Sequence, residues 1–259
     1  MNRDRSPLSG APASTPPRAL LIDLDDTILD GGHVARAIEG TCEAVASTFA
    51  GFDTGQLRQA YVEAWTAYRS KVEILCWLGR VDGASVLRDT WRHTLRRCGR
   101  ADDVPVEFAV QTYRHIARST YRLFSDVRGL FATTARLRIP VALVTNGPSD
   151  VQRDKLRVLD IEHALDAVLV SGEVGVAKPD PALFAVALER IGVESHAAWH
   201  VGDGLTNDVG GARAAGLVAV WLNRLSRRTP VDNRRPDLEV ASLTELSELL
   251  TELARPPQL

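Results

Sequence analysis

The sequence predicts an α/β fold: a Rossmann-like parallel sheet core with an inserted helical-bundle cap. Three observations carry this expectation. Short apolar runs alternate with amphipathic stretches along most of the 259 residues, the pattern of a parallel sheet covered on both faces by helices. Acidic motifs follow these runs where strands would end. Between residues 33 and 122 the alternation stops, and no apolar run of comparable strength occurs there.

In chain order, residues 19–24 read as the first buried strand. The inserted stretch fits helices at roughly 33–50, 54–70, 82–98 and 105–122. Asp53-Thr54 and Asp82 suit N-caps, because their short side chains accept from the unpaired N–H groups of a first turn. Gly51 and Gly99 suit stops, where the chain leaves a helix through a left-handed residue. The alternation resumes with a helix at 126–137. The run from Ile139 to Val144 then ends at Thr145-Asn146-Gly147-Pro148 and is followed by a helix at 149–159. Ala167 to Val170, Ala197 to Val201, Leu217 to Leu222 and Leu238 to Val240 read as further strands. Helices are expected at 180–191, 207–215 and 242–254, the first entered through Asp180-Pro181. The expected division is a disordered leader at 1–18, a Rossmann-like core of 19–30 and 123–259, and an inserted helical bundle at 31–122. The leader is rich in Pro, Ser and Ala and lacks the apolar stretch of a signal peptide. The arginine-rich segment from Arg224 to Pro236 reads as an exposed, solvated loop.

Composition narrows the function. A hydrophobic content of 45% is ample for a core, and a net charge of -2 gives no field for a nucleic-acid polymer or a membrane surface. Cys42, Cys76 and Cys98 share no metal-type spacing and read as buried or free thiols of a cytoplasmic protein. Nearly every basic residue is arginine; the lysines are Lys71, Lys155 and Lys178. A lysine inside a motif of such a chain points to a chemical requirement.

The chemistry lies at strand ends, where open α/β sheets place ligands. Asp23 and Asp25 follow the first strand in Asp-Leu-Asp-Asp-Thr. Asp203 and Asp208 follow the fourth in Gly-Asp-Gly-Leu-Thr-Asn-Asp, and Lys178 precedes Pro179 and Asp180. Carboxylates gathered at one place repel one another unless a cation sits among them. The expectation is a hard metal site beside a lysine, suited to a phosphate. Thr145-Asn146-Gly147, with a hydroxyl, an amide and the N–H groups of a turn, suits an anion.

In this order, each at a strand end, the motifs resemble those of the haloacid dehalogenase superfamily, in its phosphatase branch with a helical cap after the first motif. The stretches 171–179 and 201–223 look like the nucleoside-monophosphatase and N-acylneuraminate-9-phosphatase group. The resemblance implies Asp23 as the nucleophile and Asp25 as general acid and then base. It implies Mg²⁺ on the Asp23 carboxylate, the Asp25 main-chain carbonyl and Asp203. Thr27 and Asp208 would support these groups from behind, and Thr145, the Asn146 backbone and Lys178 would hold the phosphoryl oxygens. The implied partner is a small phosphorylated metabolite, a nucleoside monophosphate first and a sugar phosphate second. Alternatives are a phosphomutase, a dehalogenase and a non-catalytic binding module. A mutase of this kind usually has Gly-Val where Asp26-Thr27 stands. The residues considered for substrate choice are Trp65, Tyr68, Arg69 and Trp91, with Lys71, Trp77 and Arg88 as further candidates.

Overall fold

The computed structural model describes residues 15–100, 102–228 and 235–255. Most of the expected leader lies outside the described residues. Its last residues already belong to the fold: Pro17 is buried, and the Arg18 N–H donates to the Ala197 carbonyl at 2.8 Å. The fold therefore includes residues ahead of 19, because the first strand's neighbour offers an acceptor to Arg18.

Six strands form one parallel sheet: β1 (Ala19–Ile22), β2 (Val141–Thr145), β3 (Ala167–Val170), β4 (Ala198–Gly202), β5 (Val218–Leu222) and β6 (Leu238–Val240). Their spatial order is β3-β2-β1-β4-β5-β6. The chain runs outward from β1 to β3 and then returns to β4 on the other side of β1. The reversal of direction lies between β1 and β4, the crevice where open sheets bind ligands. Ile22 is in register with both Leu143 and Val201, so the residues that follow β1, β2 and β4 emerge together.

Alternation along β1 sends Leu20 and Ile22 to one face of the sheet and Ala19 and Leu21 to the other. The first face packs against helices α5 (Val127–Leu137) and α10 (Leu243–Leu253), through Leu130, Leu243, Leu246 and Leu250. The second packs against α8 (Pro181–Ile191) and the short α9 (Gly211–Ala214), through Leu183, Phe184, Ala187 and Ala212. Both faces are dry, which explains why the strand sequences are continuous apolar runs.

Four helices lie between β1 and α5: α1 (Gly32–Thr48), α2 (Thr54–Trp77), α3 (Gly83–Arg97) and α4 (Asp103–Thr120). They enclose their own apolar cluster of Cys42, Val45, Leu57, Trp91, Leu95, Val106 and Val110. The caps form as the sequence suggests. Asp53 accepts from the Gln56 N–H and Asp82 from the Ser85 N–H, while Gly51 and Gly99 have φ of 90° and 81°. Helix α2 runs to Trp77, past the expected end at 70. The polar run Arg69-Ser70-Lys71 faces outward while Val72 and Cys76 continue the buried face. The segment expected as a helix at 207–215 starts earlier, in a wide turn over Leu205–Gly210. There the Asp208 and Val209 N–H groups both donate to the Gly204 carbonyl.

The bundle meets the sheet domain at close quarters. Asp150 opens α6 (Ser149–Leu159), and its carboxylate accepts from the Gly83 and Ala84 N–H groups at 2.9 and 3.0 Å. An acid seated on the first turn of α3 is favoured by the unpaired N–H groups there. Gly79, at φ 67°, approaches the Gly172 carbonyl at the start of α7 (Ser171–Val174) so closely that a Cβ would lie 2.0 Å from that oxygen.

Arg224 corrects the expectation of a solvated loop. Its guanidinium pairs with both oxygens of Asp126 at 2.8 and 3.0 Å, donates to the Thr27 carbonyl and lies over the Phe124 ring. Residues 229–234 of that loop lie outside the described residues.

Gly79→Ala tests the contact between bundle and core. The methyl group has no room against a main-chain oxygen, and its backbone conformation disfavours a side chain. A loss of about 1–3 kcal/mol in urea unfolding is expected. An unchanged midpoint would show that the bundle does not rest on this contact.

Candidate active site

Asp23 leaves β1 into the crevice with its N–H donating to the Val201 carbonyl at 3.0 Å. Its carboxylate is nearly closed to solvent. One oxygen accepts from Lys178 Nζ at 2.6 Å and the other from Thr27 Oγ1 at 3.1 Å. Lys178 also donates to Asp208 at 2.6 Å. Asp208 in turn accepts from the Gly204 N–H at 2.9 Å and contacts His200 Nε2 at 2.9 Å. Gly202 permits this: a Cβ there would stand 2.3 Å from the Asp208 carboxyl carbon.

Burial and charge pull against each other throughout. Burial pushes the Asp23 carboxyl well above its ordinary 3.8 despite Lys178 beside it. Burial acts in the same direction on Asp208, but Lys178 and His200 outweigh it and hold that carboxyl low. For Lys178, burial lowers the ammonium pKa, and Asp208 and Asp23 more than reverse this. The lysine is thus a fixed positive charge beside the Asp23 carboxylate. Among the described residues Asp203 has no cation so close. Its carboxyl is pushed up to about 6, chiefly by burial and then by Asp208, and Arg227 approaches it only to 3.7 Å.

Asp23, Asp203 and Asp208 present carboxylate oxygens within 4.8 Å of one another. Hard oxygen donors in that arrangement, one of them without a close cation, fit a divalent metal ion. Asp208 is engaged by three groups, Lys178, His200 and the Gly204 N–H, and so orients Lys178 and the Gly204 turn. The Asp25 side chain stands outside this acidic group. Its oxygens accept from Lys155 Nζ at 2.7 and 2.9 Å and from Gln152 Nε2 at 2.9 Å. Burial raises its carboxyl pKa, and the Lys155 and Gln152 contacts reverse that and leave it below its usual value.

The anion-binding expectation changes in detail. Thr145 Oγ1 is at the end of β2 and accepts from Gln152 at 2.6 Å. The Asn146 side-chain amide is occupied. Its nitrogen donates to the Lys178 carbonyl and its oxygen accepts from the Lys178 N–H, both at 2.8 Å. That amide ties two loops together and leaves anion binding to the backbone. The Lys178–Pro179 peptide bond is cis.

The residues considered for substrate choice disperse. Trp65 lines an open cleft of about 700 Å³ between the bundle and α6, with Tyr61, Trp77, Tyr113, Arg114 and Tyr121. Trp91 does not reach it: the ring is fully buried in the bundle core against Tyr61, 5.0 Å between centroids. Tyr68 turns to another side of α2, where its hydroxyl donates to Asp89. Arg69 is exposed and paired with Glu73 one turn on. Arg88 pairs with Glu107, and Lys71 is exposed. Trp65, Tyr68 and Arg69 share a helical turn, yet the angle between successive side chains sends them to different surroundings.

Lys155, Gln152 and His200 are site residues that the sequence reading passed over. The scarcity of lysine that singled out Lys178 applies equally to Lys155, which lies three residues after Gln152 on the helix following the Thr145 motif. His200 interrupts an otherwise apolar strand.

Two outcomes are expected. For Asp203, a folded-state pKa of about 6 against 3.8 unfolded means that the folded state binds more protons between those values. Its contribution to stability is present below pH 4 and is lost as pH rises through 6. In chelator-treated protein, Tm should therefore be higher at pH 5 than at pH 7.5 by an amount on the order of a few °C, and Mg²⁺ should raise Tm more at pH 7.5. A Mg²⁺ effect that is equal or larger at pH 5 would contradict this account. Asp203→Asn should weaken Mg²⁺ dependence in metal titrations more than Asp208→Asn does; a reversed order would exchange the roles given to them.

Comparison with known proteins agrees with this geometry. The family model "haloacid dehalogenase-like hydrolase" matches residues 17–216. The phosphoserine phosphatase of Thermus thermophilus is 35% identical over 246 residues, covering 88% of this chain and 97% of that protein. Among solved structures, the 2-haloacid dehalogenase of Pseudomonas syringae is 26% identical with a TM-score of 0.65, covering 91% of this chain and 99% of that one. The hydrolase YfnB of Bacillus subtilis, bound to magnesium, is 25% identical with a TM-score of 0.67 and the same coverage of both chains. With four strand-end motifs converging on one crevice and the family model spanning most of its length, the chain belongs to the haloacid dehalogenase-like hydrolases and to their phosphatase group.

Proposed function

We propose that the protein hydrolyses a small phosphorylated metabolite through an aspartyl-phosphate on Asp23, with Mg²⁺ as cofactor. The observation that carries this is the buried Asp23–Lys178–Asp208 chain, with 2.6 Å contacts on each side of the ammonium. It gives a nucleophile already in place beside a fixed positive charge. A phosphoryl transition state needs positioning and charge neutralisation above all.

In the first half-reaction an Asp23 oxygen attacks phosphorus, the bond to the leaving oxygen breaks, and Asp25 delivers a proton to that oxygen. In the second, water attacks phosphorus and passes its proton to Asp25. The bond to Asp23 then breaks and its electron pair returns to the carboxylate. Lys178, the Thr145 hydroxyl and the Asn146 backbone bind the phosphoryl oxygens. Asp23, Asp203 and the Asp25 main-chain carbonyl would hold Mg²⁺, which would supply charge neutralisation to those oxygens. The four-helix bundle acts as a cap at 31–122 over a core of 19–30 and 123–259, and excludes water from the crevice.

Dehalogenation is the weaker reading. Halide departs without a proton and without a metal, so Asp25 and Asp203 would have no task. Mutase activity is disfavoured by Asp26-Thr27. A binding module would leave Asp203 half-buried beside Asp208 with only Arg227, at 3.7 Å, to offset its charge. The cleft lined by Trp65 includes none of Asp23, Asp25, Asn146, Lys178 and Asp203, so its aromatic side chains do not choose among leaving groups. The resemblance of residues 171–179 and 201–223 keeps nucleoside monophosphates and sugar phosphates as the first candidates, with phosphorylated amino acids beside them on the strength of the named relative.

Asp23→Asn should abolish turnover of p-nitrophenyl phosphate while circular dichroism stays unchanged; retained turnover would exclude Asp23 as the nucleophile. Lys178→Arg should lower kcat by roughly 10²-fold or more, since a forked guanidinium cannot occupy the ammonium's place between two carboxylates. Comparing kcat/KM across nucleoside monophosphates, sugar phosphates and phosphoserine identifies the substrate class. Activity confined to phosphorylated proteins would exclude a small-molecule role.

A further inference from the structure

Asp25 is held by two donors from one face of α6. Lys155 Nζ lies 2.7 and 2.9 Å from its two oxygens, and Gln152 Nε2 lies 2.9 Å from one of them. The two residues are three apart, so they point the same way from one turn of helix. The lysine side chain is 9% exposed, whereas the Asp25 side chain is 38% exposed. The cation is therefore committed to the carboxylate, and the carboxylate still faces the crevice. A surface pair of this kind would give little. A lysine sunk in the core, in a chain whose other basic residues are almost all arginine, is a different matter.

We infer that Lys155 is a positioning residue for the hydrolytic half-reaction: it fixes the Asp25 carboxylate in the orientation from which it takes the proton of the attacking water. This rests on Asp25 acting as the base. Lys155 is expected to act through Asp25 and not on the phosphate, because its ammonium is already engaged by both oxygens of that carboxylate. Gln152 assists and also joins Asp25 to Thr145 Oγ1 at 2.6 Å. Base and phosphate site are thereby set from one helical turn. In the step concerned, the water oxygen bonds to phosphorus, the phosphorus–Asp23 oxygen bond breaks with its electrons returning to Asp23, and the water proton goes to Asp25.

The two half-reactions can be read separately. With 2,4-dinitrophenyl phosphate the leaving oxygen needs no proton, so kcat/KM reports attack by Asp23, and kcat reports hydrolysis of the aspartyl-phosphate once that step limits. Lys155→Met keeps an unbranched stem out to the Cε position and removes the donor. Rapid-quench kinetics of the Mg²⁺-loaded protein should show kcat down about 10-fold or more. KM should fall with it, kcat/KM should stay within about 3-fold, and a burst of dinitrophenol should approach one per active site. Asp25→Asn is the reference: it should show the same split, and the double variant should be no slower than Asp25→Asn alone, since both changes remove one function. If Asp25→Asn gives no burst, the role of Asp25 as base is wrong. If Asp25→Asn gives a burst and Lys155→Met does not, or loses kcat and kcat/KM in parallel, the role given to Lys155 is wrong. Additive losses in the double variant would likewise overturn it.

Discussion

The architecture depends on keeping charged groups buried together at the end of a parallel sheet. Asp23, Lys178 and Asp208 sit almost entirely out of water with 2.6 Å contacts between them. Taking one partner from such a set leaves an uncompensated charge and costs about 3–5 kcal/mol. The arrangement is stable only if every loop bearing a member is held in register. Gly202 gives Asp208 room to approach, Asn146 clasps both main-chain groups of Lys178, and the Asp23 N–H is pinned to Val201. Each of these contacts spans a different strand end.

The parallel sheet makes that convergence possible. Each strand returns to the same edge after a crossover, so the ends of β1, β2 and β4 are neighbours although their residues are far apart in the chain. Dry cores on both faces, built from Leu20 and Ile22 on one side and Leu21 with Phe184 and Trp221 on the other, fix the strand register. The charged site rests on apolar packing a few ångströms below it.

The bundle is tied to this core by short polar and steric contacts. Asp150 seats the first turn of α3, and Gly79 lets the bundle touch the main chain at Gly172. Helix α6 therefore has two roles on two faces. Asp150 and Asp154 face the bundle and its cleft, while Gln152 and Lys155 face Asp25. The same helix that carries the bundle's docking point also holds the proposed base, so both are set from one rigid element.

Much of this was legible in the chain itself. Strand positions followed from apolar runs because both sheet faces are buried. The helix caps followed from Asp53, Asp82, Gly51 and Gly99 because capping is local chemistry. Asp23 and Asp203 directly follow strands, Asp208 and Lys178 lie in the segments that come after them, and a parallel fold brings such segments together. Only the tertiary structure decided the rest. The partner of Asp25 is Lys155, 130 residues away, and no local pattern pairs them. The Asn146 amide turned out to join loops, because the cis Lys178 segment lies against it. Trp65 and Trp91 both looked like aromatic residues of a helical bundle, yet one lines the cleft and the other fills the core. Sequence fixes which face of its own helix a side chain occupies; what that face meets is set by how the helices pack.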